Sequence, residues 1–160
     1  MKMQPTEKQL DIFTKLSELE ESIGRFYEVL AETFPTYKNF WSGLADEEKQ
    51  HSAWVNKLRI LVVQGTVRFA ERDFNSIAIR TFINYIESEM NKAKRNELST
   101  INALSTTLYI EQSLIENKYF ETFTADSPEV KQILDDLAVA TRLHISKVQD
   151  VFNNFKRLSH

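Results

Sequence analysis

The order of apolar and polar residues along the chain predicts a protein built from α-helices. Apolar residues recur every three or four positions through five segments, which is the spacing of one helical face. Local signals support the segment ends: Thr6 and Thr36 as N-caps, Gly65 as a left-handed stop, Ser99 or Thr100 as a cap, and Pro128 in a first turn. We expect helices at about residues 6–34, 36–64, 74–96, 99–124 and 128–156.

Composition agrees with an all-α fold in a single domain spanning residues 1–160. The 160 residues include three glycines and three prolines, so the chain holds little of the turn chemistry that a sheet protein needs. A length of this order is enough to bury one hydrophobic core.

Charge and residue usage narrow the function classes. The net charge is −3 and no basic stripe is present, which argues against a nucleic-acid partner. The chain has no cysteine, so disulfides, zinc ribbons and a rubredoxin-type iron site are excluded. It also lacks an apolar leader and an apolar run of membrane length, so we expect a cytoplasmic protein with no membrane partner.

The segment from Leu44 to Val62 carries a chemically unusual seam. Glu48 and His51 stand three residues apart and share one helical face with Leu44, Val55, Leu58 and Val62. A carboxylate and an imidazole are costly to bury in an apolar seam unless something pairs with them. A metal ion is one such partner, and the rest of the chain must then supply further ligands.

An internal repeat supplies them. The stretch Glu20 to Ile23 resembles Glu111 to Leu114, and Leu44 to His51 resembles Leu137 to His144. The repeat places both internal histidines, His51 and His144, at equivalent positions. Two helical hairpins therefore look like copies of each other.

Depth along the two hairpins agrees with this interpretation. Glu20, Glu48 and His51 all lie roughly 20–24 Å from the turn at Pro35, at about 1.5 Å per helical residue. Glu111 and His144 lie at similar depths from a second turn at Asp126. Packing the hairpins face to face would bring both sets to the middle of a bundle.

With these residues the sequence resembles the ferritin-like superfamily, and within it the rubrerythrin-type diiron-carboxylate proteins. That pattern has one Glu on each of two helices and Glu-x-x-His on each of the other two. The resemblance implies an all-α, ferritin-like four-helix bundle of two antiparallel hairpins, with an additional helix in the long crossover at residues 66–98. It implies a metal-ligand set: Glu20, Glu48, His51, Glu111 and His144.

The sequence departs from the family pattern in two places. Thr141 stands where the second bridging glutamate is expected, so one ligand position is lost. The Thr141 hydroxyl is then expected to hydrogen-bond near the metals rather than bind them. No cysteine-rich rubredoxin domain follows, so the resemblance implies a separate electron donor.

The function implied is a diiron oxidoreductase or peroxidase that handles O₂, peroxide or ferrous iron. His51 with Glu20 would hold one iron ion, His144 with Glu111 the other, and Glu48 would bridge them, with manganese as the alternative metal. Tyr27 is the candidate catalytic residue, as a relay of electrons, and Tyr119 is a second candidate. Binding of one metal ion, or of none, remains open because of Thr141.

The alternative function is a metal-free, degenerate ferritin-like bundle that acts as a structural or interaction protein rather than an enzyme. Exposed aromatic residues such as Phe69 and Phe74 would then serve as contacts. Under either function we expect a homodimer. We expect Glu21, Asp46 and Glu47 to be solvated.

Overall fold

The chain folds into helices in the computed structural model, which describes residues 6–65, 68–69, 76–116, 123–124 and 127–159. The helices are α1 (Glu7–Thr33), α2 (Lys38–Val63), α3 (Ser76–Lys94), α4 (Thr100–Glu116) and α5 (Pro128–Leu158), with a 3₁₀ turn at Pro35–Tyr37. The all-α fold class is therefore confirmed. None of the described helices combines the length and the apolar character that crossing a membrane requires.

Several predicted helix ends are confirmed. Thr6 caps α1 in a capping box, in which its side chain accepts from the Gln9 amide and Gln9 accepts from the Thr6 amide. Gly65 follows α2 with φ 76°, and Ser99 Oγ accepts from the Asn102 amide at the start of α4. Pro128 lies in the first turn of α5, where its missing N–H costs no hydrogen bond.

Two boundaries differ from the prediction. Thr36 lies inside the 3₁₀ turn and does not cap α2, which begins at Lys38 without a side-chain cap. The predicted helix over 99–124 is too long, because the backbone of β2 (Phe123–Thr124) pairs antiparallel with β1 (Arg68–Phe69). Phenylalanine and threonine favour strands, and a distant partner segment decides this pairing.

The helices pack as two hairpins with one helix outside them. α1 packs along α2, α4 packs along α5, α2 meets α5, and α3 covers α1. Two buried polar contacts tie the first hairpin to α4: Trp41 Nε1 donates to Thr107 Oγ1 at 3.4 Å, and the Tyr27 hydroxyl donates to Glu111 Oε1 at 2.5 Å. The core between the hairpins therefore carries polar groups at its centre.

The core packing predicts that alanine substitution at two leucines lowers the free energy of unfolding by very different amounts. Leu30→Ala, at a position 0% exposed in α1, should lower the free energy of unfolding by about 2–5 kcal/mol, because it removes buried methyl groups and leaves a cavity. Leu143→Ala, at a position 55% exposed in α5, should change it by less than about 0.5 kcal/mol. Urea unfolding followed by circular dichroism measures both, and equal losses would contradict this packing.

Candidate metal centre

Four helices bring the five predicted ligands together. α1 supplies Glu20, α2 supplies Glu48 and His51, α4 supplies Glu111, and α5 supplies His144. All five side chains are buried, with His51 the most exposed at 3%. They belong to the apolar faces of their helices, so the hydrophobic burial of each face carries its polar residue into the interior.

Glu48 lies between the two histidines. Its Oε2 is 3.3 Å from His51 Nδ1, and its Oε1 is 3.1 Å from His144 Nδ1. The two imidazole rings stack with centroids 4.9 Å apart and an interplanar angle of 24°. One carboxylate thus faces both rings, as a bridging ligand would.

The other two glutamates flank this central arrangement. Glu20 Oε2 lies 3.9 Å from His51 Nδ1, and Glu111 Oε1 lies 3.3 Å from His144 Nδ1. The cluster therefore has two halves that share Glu48. One half holds Glu20 and His51, and the other holds Glu111 and His144.

Four carboxylate oxygens in the cluster are buried without a hydrogen-bond partner among the described residues. They are Glu20 Oε2, both oxygens of Glu48 and Glu111 Oε2. A buried carboxylate oxygen without a partner is costly, and a cation removes that cost. One donor atom from each of Glu48, His51 and His144 also lies within 4.8 Å of the other two. The donor set of oxygens and imidazole nitrogens fits iron or manganese.

Burial shifts the protonation of the acids. Burial raises the pKa of Glu20 well above its ordinary value, and the negative charge of Glu48 raises it further. Burial also raises the pKa of Glu48. Without a metal, both carboxyl groups therefore hold protons to higher pH than a free glutamate does.

The two histidines shift in opposite directions. Burial lowers the pKa of His51, although the charge of Glu20 opposes this. Burial would lower the pKa of His144 as well, but its contacts with Glu111 and Glu48 raise it to about 11. His144 is thus an imidazolium at neutral pH in the metal-free chain, and a metal binding there must displace its proton.

Glu47 has a role that the sequence did not predict. Its side chain is 43% exposed, in line with the prediction that it is solvated, but its Oε2 also lies 2.5 Å from His144 Nε2 and its Oε1 accepts from Lys147 Nζ at 2.7 Å. Partial burial opposes ionisation, but the hydrogen bond from Lys147 and the charge of His144 lower the pKa of Glu47. A carboxylate on the outer nitrogen of a metal-ligating histidine fixes the orientation of its ring.

Among the described residues, no carboxylate contacts the outer nitrogen of His51. Trp54 stacks on its ring at 5.6 Å with an angle of 16°, and a cavity of about 150 Å³ lies beside the ring, lined in part by Ala140 and Leu143. In the internal repeat, Ala140 occupies the position equivalent to Glu47. The repeat is therefore asymmetric in the residues around the ligands as well as at Thr141.

Thr141 and Tyr27 each make one defined hydrogen bond. Buried Thr141 donates to the Leu137 carbonyl at 2.9 Å, so its oxygen remains available only as an acceptor. Tyr27 donates to Glu111 Oε1, and burial raises the pKa of Tyr27 well above its usual value, which keeps it neutral. Tyr119 and Phe74 lie outside the described residues, as does the side chain of Phe69.

The raised pKa of Glu20 predicts a pH-dependent effect of Glu20→Gln on the metal-free protein. The pKa of the Glu20 carboxyl group is higher in the folded chain than its ordinary value of about 4.5, so the bound proton stabilises the fold fully below about pH 4.5. This stabilisation is lost as the pH rises through the folded-state pKa. Wild type should therefore lose stability relative to Glu20→Gln as the pH rises above about 4.5, by at most about 1.4 kcal/mol per pH unit. Thermal melts with a chelator measure the difference, and a constant difference would contradict the shift.

Comparison with known protein families, with curated proteins and with solved structures finds no match to this chain. The resemblance to ferritin-like proteins therefore stays a prediction from the residue pattern.

Proposed function

We propose that this chain is a rubrerythrin-like dimetal protein that uses two bound ions, preferably iron, in the redox handling of peroxide, O₂ or ferrous iron. The observation that carries the proposal is Glu48, a buried carboxylate that faces two histidine nitrogens at 3.1 and 3.3 Å, while neither of its oxygens has a hydrogen-bond partner in the described part of the chain. A pair of cations on either side of this carboxylate would satisfy it.

The helix arrangement supports a ferritin-like bundle. The four helices α1, α2, α4 and α5 each direct at least one candidate ligand to a common centre, and the two hairpins meet there. Bundles of this kind build metal sites from side chains on facing helices. α3 would be the additional helix of the crossover.

The ligand roles follow the two halves of the cluster. Glu20 and His51 would bind one ion, Glu111 and His144 the second, and Glu48 both. Three carboxylates leave part of the charge of two divalent ions uncompensated, whereas a carboxylate at Thr141 would balance it. Glu47, which accepts a hydrogen bond from Lys147, would hold the His144 ring with its Nδ1 toward the metal.

Bound iron would supply one-electron steps between +2 and +3 and open positions for O₂ or peroxide. The protein's own part is to exclude water, because all five ligands are buried, and to manage protons. Tyr27 holds its proton against Glu111 at 2.5 Å, where it is placed to pass a proton or an electron to the cluster. A separate electron donor and a homodimer remain part of this proposal.

A second candidate function is a metal-free structural bundle. One observation favours it: the His144 imidazolium contacts Glu47, Glu48 and Glu111 and so neutralises part of the buried charge without a metal. The loss of a ligand at Thr141 points the same way. Metal content separates the two candidates.

Loading with metal tests the proposed function. Anaerobic incubation with Fe(II), and separately with Mn(II), should leave two ions per chain in wild type and fewer in Glu48→Gln, because that variant removes the shared carboxylate. Asp46→Asn, a change at an exposed acid two positions away in α2, should retain both ions. Elemental analysis after desalting gives the counts. If wild type bound no ion and its melting temperature did not change on incubation with metal, the redox function would be contradicted.

Restoring the missing carboxylate gives a further prediction. Thr141→Glu should destabilise the metal-free protein by about 1–3 kcal/mol, because a larger group enters a buried site. Addition of a divalent metal should then raise the melting temperature of Thr141→Glu more than that of wild type, because the new carboxylate binds the metal. Thr141→Gln is the control of equal size. Equal metal-induced shifts in both variants would contradict a lost ligand at this position.

A further inference from the structure

The Glu111–His144 half of the cluster is held by other side chains. Glu47 contacts the outer nitrogen of His144, and Lys147 donates to Glu47. Tyr27 donates to Glu111. Both ligands of this half are therefore fixed in place before any ion arrives, which lowers the cost of ordering them.

The Glu20–His51 half is held less firmly. Oε2 of both Glu20 and Glu111 lacks a hydrogen-bond partner among the described side chains, but Glu111 is held through its Oε1 by Tyr27, and none of these side chains holds Glu20 in this way. The His51 ring stacks on Trp54, and within the described ranges no carboxylate lies on its outer side, where the repeat places Ala140. An ion bound here must itself order the ligands.

The Glu20–His51 half also borders a cleft in the described part of the chain. A cleft of about 330 Å³ lies between α1 and α2 and reaches Glu20 and Glu48. Within the described part of the chain, neither this cleft nor the smaller cavity beside His51 is lined by Glu111 or His144. Gly24 borders the cleft, and a Cβ there would lie 3.4 Å from Glu48 Cβ.

The cleft offers oxygen ligands to a cation. Arg25 and Lys49 balance the charges of Glu21 and Glu28 in its lining, and Lys49 is paired with Glu28 at 3.4 Å. The buried carboxyl groups of Glu20 and Glu48 complete the lining. Carboxylate oxygens suit divalent cations such as Mn(II), so an ion that passes between α1 and α2 meets ligands at Glu20 and Glu48.

We infer that the two metal positions are unequal: Glu111 and His144 hold a resident ion, whereas Glu20 and His51 bind an exchangeable divalent cation that enters through the α1–α2 cleft. This inference rests on the proposed function and deepens it. It makes the divalent cation, with ferrous iron as the redox-active case, a substrate of the Glu20–His51 position.

Equilibrium dialysis with Mn(II) under anaerobic conditions tests the inequality. Wild type should bind one ion at least tenfold more tightly than the second. Glu20→Gln should remove the weak ion alone, and Glu47→Gln should weaken the tight ion by about 10–100-fold, the usual effect of losing the carboxylate behind a ligating histidine. Glu32→Gln, which removes an exposed charge of α1 outside the cleft lining, should keep both ions.

The possible outcomes distinguish a failure of this inference from a failure of the proposed dimetal function. Two ions of equal affinity would overturn the inference and leave the dimetal function standing. A single ion that both Glu20→Gln and Glu47→Gln weaken would also overturn the inference, since one ion would then be shared by both halves. No Mn(II) binding at all would overturn the proposed function and the inference together.

A chelator chase tests the route. After loading with Co(II), a chromogenic chelator should remove one ion in a fast phase and the other in a slow phase. Gly24→Ala should slow the fast phase several-fold and leave the slow phase unchanged, because its methyl group narrows the cleft beside Glu48. Gly43→Ala is the matched control, since a Cβ there meets nothing within 4 Å. An unchanged fast phase in Gly24→Ala would overturn the route.

Discussion

The structure depends on one buried carboxylate, Glu48, set between two stacked histidines. Its burial follows from the apolar seam of α2, which carries it into the interior with Leu44 and Val55. Neither of its oxygens has a hydrogen-bond partner among the residues that the structure describes, and His51 and His144 stand on either side of it. A buried carboxylate of this kind needs a proton or a cation nearby. The chemistry of the site therefore depends on whether Glu48 holds a proton or lies beside a cation.

Protons and metal ions compete for the same atoms. Burial raises the pKa of Glu20 and of Glu48, and contacts with acids raise the pKa of His144 to about 11, so the metal-free core stores protons. A metal must displace them, which makes its affinity increase with pH. The same groups that stabilise the empty fold therefore oppose metal binding at low pH. Glu47 adds to this competition at His144, because a carboxylate that accepts from the outer nitrogen stabilises the imidazolium.

The sequence predicted the helices and the five clustered residues because both depend on periodicity. Glu20, Glu48, His51, Glu111 and His144 all lie in apolar seams, and the repeat set them at one depth. The partnership of Glu47 with His144 was missed, because it depends on how α2 faces α5. The end of α4 was missed because a distant strand partner competes with local helix propensity. The α1–α2 cleft follows from a missing side chain at Gly24, which no periodic pattern reports.

Anomalous diffraction from crystals loaded anaerobically with Mn(II) would test the central claim most directly. The account predicts two peaks, one on each side of Glu48, separated by roughly 3.5–4 Å as in other two-metal sites. The peak beside Glu111 and His144 should have the higher occupancy. The absence of any peak at the cluster, or a single peak midway between His51 and His144, would contradict a dimetal centre.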